Sequence, residues 1–205
     1  MKHHCSLILS LSLSLILCMS GFTQDKTAAN LTEAYRFESG NNVLFAAYAV
    51  DADKEGYPKV AAFFRAISKT ASIHADNFEK VLSRMGVTVT PSTPAIIVKP
   101  SQMNIEDAMK EVRIEAGIKY AEYLDQAKTD GENNAVKALR WAKETEQKSL
   151  QLFVNIADAL SKENTNSLPA FYLVCPKCGN LYDIANPEKE CSFCFTERGK
   201  FIKVQ

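Results

Sequence analysis

The sequence has no excess of charge of either sign. Lys and Arg total 24 and Asp and Glu total 24 over 205 residues. A balanced chain supplies no overall electrostatic pull toward nucleic acid or anionic lipid, so no nucleic-acid partner is expected. Glycine and proline are scarce, at 8 and 7, which excludes collagen-like or low-complexity character. There is no Gly-rich phosphate loop, and no stretch calls for a parallel sheet. Cysteine is missing from the whole interval between Cys18 and Cys175. What is present is ordinary for a globular chain: 46% hydrophobic and 23% charged residues, which rules out wholesale disorder. The length allows one domain of usual size plus something small.

A hydrophobic run long enough to span a bilayer comfortably is also lacking. The one uncharged apolar run, residues 6–18 (SLILSLSLSLILC), follows Lys2-His3-His4-Cys5 and gives way to MSGFTQDK. A short basic head, an apolar middle and a small-residue exit describe a secretory signal over residues 1–21, with cleavage after Ser20 or Gly21. An uncleaved anchor is the alternative, as is lipidation at Cys18, which Leu17 argues against because a small residue is expected there. An exported protein of the periplasm or cell envelope is expected, touching the membrane only through this signal or a lipid anchor. Removing Lys2 with the signal leaves 23 basic against 24 acidic side chains. Of the six cysteines, four then remain: Cys175, Cys178, Cys191 and Cys194.

Hydrophobic periodicity marks four long helices. From Thr27 to about Val50, one face carries Leu31, Ala34, Glu38, Phe45 and Ala49. From Tyr57 to Met85, Val60, Phe64, Ile67, Ala71, His74, Phe78 and Val81 step by threes and fours. From Asn104 to about Lys128 the face is Ile105, Ala108, Val112 and Glu115, with Ile118 next. From Glu132 to about Ser161 it is Ala135, Leu139, Ala142, Glu146, Ser149, Phe153, Ile156 and Leu160. Four amphipathic helices bury such stripes against one another as a bundle over residues 26–162. EGYP at 55–58 and DGEN at 130–133 punctuate the two hairpins, while 86–102, with three prolines and β-branched residues, reads as an extended crossover. One long crossover is the ferritin-like connectivity.

Each stripe carries a polar or ionisable group: Glu38, His74, Glu115 and Glu146. A buried charge costs several kcal/mol unless paired. Taken singly, a stripe histidine is usually a satisfied core residue and a stripe glutamate usually reaches water at the edge. One on every helix points instead to a shared polar centre. Carboxylates with an imidazole suit iron or manganese. Without a metal, three close carboxylates cannot all ionise, and some must hold protons.

Cys175-Pro-Lys-Cys178 and Cys191-Ser-Phe-Cys194 form CxxC-x12-CxxC. Two such pairs can close a tetrahedron of thiolates around zinc or iron, and ligand count does not separate the two metals. Two adjacent CxxC disulfides are the alternative in an exported chain, but they would staple almost nothing. A piece of about 35 residues is too small for a stable apolar core, so a bound ion would supply much of its folding energy. Residues 162–169 (KENTNSLP) link it to the bundle, and FYLVC and GKFIKV read as short strands flanking the knuckles. Trp141 and the nearby apolar residues are expected in the bundle core, with a dimer interface as the alternative.

With these features in hand, residues 26–205 resemble the rubrerythrins, in which a ferritin-like di-iron bundle precedes a rubredoxin-like Fe(Cys)₄ domain. The similar stretches are 54–78 (KEGYPKVAAFFRAISKTASIHADNF), 140–153 (RWAKETEQKSLQLF) and the CPKCG…NPEKECSFC tail. The resemblance implies a mainly α protein: a ferritin-like bundle with one long crossover, and a small rubredoxin-like or zinc-ribbon β domain over 170–205. It implies iron on the four cysteines, a homodimer through the bundle, a redox partner protein and, if the protein is an enzyme, peroxidase-type reduction. Glu38 matches the family's first ligand. Where the family has Glu-x-x-His, Glu-x-x-Glu and Glu-x-x-His, this chain has Ala71…His74, Glu115…Ile118 and Glu146…Ser149. Four of seven ligand positions survive. Two metal ions 3–4 Å apart need carboxylates between them, and two carboxylates are gone. An intact di-iron centre, a single-metal site on Glu38, His74, Glu115 and Glu146, and an empty protonated core are the three states left open. No catalytic residue is assigned from the sequence.

Overall fold

The computed structural model describes residues 26–183 and 189–205. The N-terminal segment read as a signal, with Cys5 and Cys18, lies outside the described residues. Helix α1 runs Lys26–Lys54 and α2 Pro58–Arg84. Pro58 opens α2, where its fixed φ suits the first turn and its missing N–H is not needed. Gly56, at φ +83°, makes the left-handed turn between them.

After an extended stretch, α3 spans Ser101–Ile114 and α4 Tyr120–Thr129, joined by a π-helical turn over Glu115–Lys119. Helix α5 is Asn133–Ser161. The third helical region is thus one axis with a wide turn in the middle, not the uninterrupted helix expected. Ile118 does not continue the buried stripe; it is 56% exposed. The i→i+5 turn inserts one extra residue, which rotates Ile118 outward while Glu115 and Tyr120, on either side, both stay buried.

The other three stripes are buried as the periodicity requires. They form two apolar lobes. One contains Phe45, Phe63, Phe64, Ile105 and Phe153, and the other Leu31, Phe78, Leu82, Tyr120 and Leu139. Between the lobes lies a buried polar layer of Glu38, His74, Glu115, Thr145, Glu146 and Ser149.

The tail holds a three-stranded antiparallel sheet in the order β2-β1-β3, with β1 at Tyr172–Val174, β2 at Leu181–Asp183 and β3 at Ile202–Val204. Strands β1 and β3 lie within the two segments expected to be extended. Strand β2 was not expected, because it follows directly on the first cysteine pair. Tyr172 packs edge-on against Phe63 at 5.6 Å and so joins the sheet to the first lobe. No helix among the described residues is long and apolar enough to cross a membrane.

Candidate metal centre

In the polar layer, Glu38, His74 and Glu146 each offer a ligand atom, all within 4.8 Å of one another. Glu38 Oε1 lies 2.8 Å from His74 Nδ1 and accepts a 2.9 Å hydrogen bond from the Tyr120 hydroxyl. Burial, then the neighbouring carboxylates, hold the Tyr120 phenol well above its usual range, so it stays a donor. Burial, then the charge of Glu38, likewise pushes the Glu146 carboxyl well up. Among the described residues, the buried Glu146 Oε2, Ser149 Oγ and Thr145 Oγ1 have no hydrogen-bond partner. A small cavity adjoins Glu146 and Ser149 and is also lined by Ala71.

Glu115 does not join this cluster. Its Oε2 faces Lys119 at 3.6 Å, while Oε1 is buried and unpartnered. Burial raises its pKa to about 7 against the opposing pull of Lys119. Lys119 also pairs with Glu33 at 2.8 Å. The π turn therefore carries a carboxylate and its counter-cation four residues apart.

In the tail, Cys175 Sγ lies 3.4 Å from Cys194 Sγ and Cys178 Sγ 3.4 Å from Cys191 Sγ. No disulfide links them, and the gaps far exceed the roughly 2.05 Å of an S–S bond. Four sulfurs about 2.3 Å from one ion would sit about 3.8 Å apart, so the cluster needs little adjustment to take zinc or iron. Its electrostatics also ask for a cation. Contacts from Cys175 and Cys178 hold Cys191 well below the usual thiol range, while those from Cys175 and Cys191 push Cys178 up. Four thiolates cannot coexist here without a positive ion.

The two knuckles repeat one backbone design. The residue after each second cysteine has positive φ, Gly179 at +80° and Phe195 at +58°. Each donates its N–H to the first cysteine of its pair, Gly179 to Cys175 and Phe195 to Cys191. Asn180 Nδ2 lies 3.7 Å from Cys191 Sγ and 2.7 Å from the Tyr182 hydroxyl, to which it donates.

The first knuckle rests directly on the bundle centre. A Cβ on Gly179 would fall 2.6 Å from His74 Nε2, so only glycine fits. Thr70 donates to the Gly179 carbonyl at 3.0 Å and Asn77 to the Lys177 carbonyl at 2.9 Å. Lys148 of α5, half-buried, reaches Asn180 Oδ1 at 3.3 Å with its ammonium 3.7 Å from the centre of the Tyr182 ring. Nδ1 of one imidazole thus faces the bundle carboxylates while Nε2 abuts the backbone beside Cys178.

A rubrerythrin family model matches residues 29–156. The chain belongs to the rubrerythrin family. Rubrerythrin-2 of Clostridium acetobutylicum is 27% identical over 176 residues, covering 85% of this chain and 95% of the relative. Nigerythrin of Nitratidesulfovibrio vulgaris is 23% identical, covering 85% of each chain. A structure of nigerythrin in its fully reduced, all-ferrous state superposes with a TM-score of 0.79 at 21% identity over 86% of each chain. A structure of the bacterioferritin of Desulfovibrio desulfuricans, described by its diiron site, superposes with a TM-score of 0.64 at 18% identity, covering 69% of this chain and 84% of the relative. The rubrerythrin fold and the four-cysteine tail are common ground for the sequence and the structure.

Within that fold, the four cysteines expected to converge do so, and three of the four bundle residues meet, Glu115 standing apart. Sequence reasoning missed Tyr120, Lys119, Thr145 and Asn180. Tyr120 lies five residues after Glu115, a spacing that shares a face only on a π turn. Trp141 is not bundle core as expected. It packs at the junction, against the cysteine cluster.

Proposed function

We propose that this rubrerythrin-family protein is a non-haem iron redox protein. Its tail carries one electron on Fe(Cys)₄, and its bundle holds a single ion on Glu38, His74 and Glu146. The observation that supports this most is the contact of Gly179 with His74, which sets the thiolate cluster and the bundle donors back to back. The donors favour one bundle ion over two. Ala71 and Ser149 border a cavity where further ligands would have to stand, and Ile118 points to solvent. Orphaned Glu146 Oε2 and the Glu38–His74 pair supply an acidic, imidazole-containing set suited to iron.

Iron bound at both places would supply one electron each, the pair that together with two protons reduces hydrogen peroxide to two waters. The protein's own groups then have separable tasks. Tyr120 and His74 fix Glu38. The two apolar lobes keep bulk water from the layer between them. Glu115, with its pKa near 7, holds a proton at the border of the centre that can be released near neutral pH. Export and dimerisation through the bundle belong to the same reading.

Metal analysis of natively purified protein, counted per chain, tests it. Two irons are expected, with Cys178→Ser losing one and Glu146→Ala losing the other. Three irons would restore the di-iron alternative. A single zinc in the tail and an empty bundle would reduce the protein to a structural or binding module.

A further inference from the structure

Four cations that form no ion pair among the described residues converge on one groove at the junction of bundle and tail. Lys80 and Arg84 come from the exposed side of α2, Lys137 from α5, and Lys177 from between Cys175 and Cys178. With Asn77 and Trp141 they line an open groove to which no described Asp or Glu contributes. Among the described residues none of the four enters an ion pair, whereas Arg65, Lys99, Lys110, Lys119, Lys128, Lys162 and Lys200 all do. Lys137 and Lys177 instead lie 5.5 and 5.9 Å from the centre of the Trp141 ring.

Clustered like charges repel, so a chain of zero net charge gains nothing for its own fold by gathering four of them unpaired. An anionic partner turns that repulsion into attraction and steers its own approach. The position of the groove narrows the partner further. Trp141 packs against the cluster of Cys175, Cys178, Cys191 and Cys194, and Lys177 belongs to the first knuckle itself. Whatever docks here lies against the thiolate site.

We infer that this groove docks the acidic face of a one-electron carrier protein, and that electrons enter the tail beside Trp141 and Lys177. The inference rests on the reading of the tail as an iron carrier. One electron leaves the reduced carrier, which is oxidised by one equivalent, and ferric tail iron becomes ferrous. No bond is made or broken and no proton moves. A protein face fits better than a nucleotide. The cations are spread over α2, α5 and the knuckle rather than gathered on one phosphate, and two ammonium groups already lie against the indole that a free ring would need for stacking.

The test uses the full chain with its native tail ion, and a plant-type [2Fe–2S] ferredoxin as the acidic carrier. Titration calorimetry at low salt should show saturable binding that weakens steeply as salt is raised. The double variant Lys80→Glu/Lys137→Glu should weaken it by at least about tenfold, while Lys110→Glu on α3 leaves it unchanged. Both replaced groove residues are exposed, so helical circular dichroism and metal content should match the parent. Stopped-flow bleaching of the tail by reduced ferredoxin should slow in the same variant. Bleaching by photoreduced lumiflavin, which is uncharged, should not. Ferredoxin that fails to bind, or that binds the parent and the variant alike, overturns the docking site. So does flavin mononucleotide binding with the same sensitivity to the variant while ferredoxin does not bind. Failure of lumiflavin to bleach the tail would instead refute the iron reading, and calorimetry would still decide the groove.

Discussion

Glu115 is the residue whose environment makes the sharpest claim. Burial raises its pKa from 4.5 to about 7 even though Lys119 pulls the other way. Between those values the folded chain keeps a proton that the unfolded chain has lost. The associated stability is therefore fully present below about pH 4.5 and is lost as pH rises through about 7. Unfolding midpoints of metal-free protein, followed by helical circular dichroism, should fall across this interval. Glu115→Gln should flatten that part of the slope. Above pH 7 the amide variant should be the more stable by on the order of 2 kcal/mol, a figure discounted for solvent near Lys119. An unchanged slope would show that the carboxyl is ionised throughout, with Lys119 compensating its burial in full.

At the scale of elements, the π turn at Glu115–Lys119 decides which ligand positions can return. Ala71 is buried and borders the cavity, and Ser149 does the same from α5, whereas Ile118 points into solvent. Ala71→Glu with Ser149→His should therefore raise the bundle's metal content by about one ion per chain. Ile118→Glu should leave metal content unchanged and stability within about 0.5 kcal/mol, as expected of an exposed site. Metal analysis of both variants checks this, and an added ion in Ile118→Glu would mean that the wide turn can rewind. The same element marks the boundary of what the sequence could reveal. Leu31 to Ala49, Val60 to Val81 and Ala135 to Leu160 could be read as stripes because, at about 100° per residue, side chains three and four positions apart return to the same face. One inserted residue breaks that phase without leaving any compositional trace, so the periodicity placed Ile118 inside. The cysteine cluster was legible because CxxC spacing is a local constraint on sulfur positions. Trp141 and the knuckle's seat on His74 were not, because they depend on how one part of the chain docks on another, and periodicity within a helix carries no such information.

At the scale of the whole molecule, tail and bundle meet through a contact that admits no side chain. Gly179 combines φ +80° with a Cβ position 2.6 Å from His74 Nε2 and 3.3 Å from the Thr70 carbonyl. Gly179→Ala thus meets both backbone strain and a collision, and the collision is with buried atoms that have little room to give. Gly131 separates the two effects. It has φ +75° but nothing within 4 Å of a Cβ, so Gly131→Ala should cost only the left-handed backbone penalty, about 1–2 kcal/mol. Gly179→Ala should cost more than that, and its excess should appear as separation of the two parts rather than as uniform softening. Hydrogen exchange of the amides around Thr70 and His74 should quicken, and the Thr70 and Asn77 bonds to the knuckle should be lost together. The tail should keep its ion, because the four sulfurs are not touched. Equal costs in the two alanine variants, with exchange around His74 unchanged, would mean that the knuckle does not press on the histidine in solution. The back-to-back placement of the two centres, and the electron path that depends on it, would then have no structural basis.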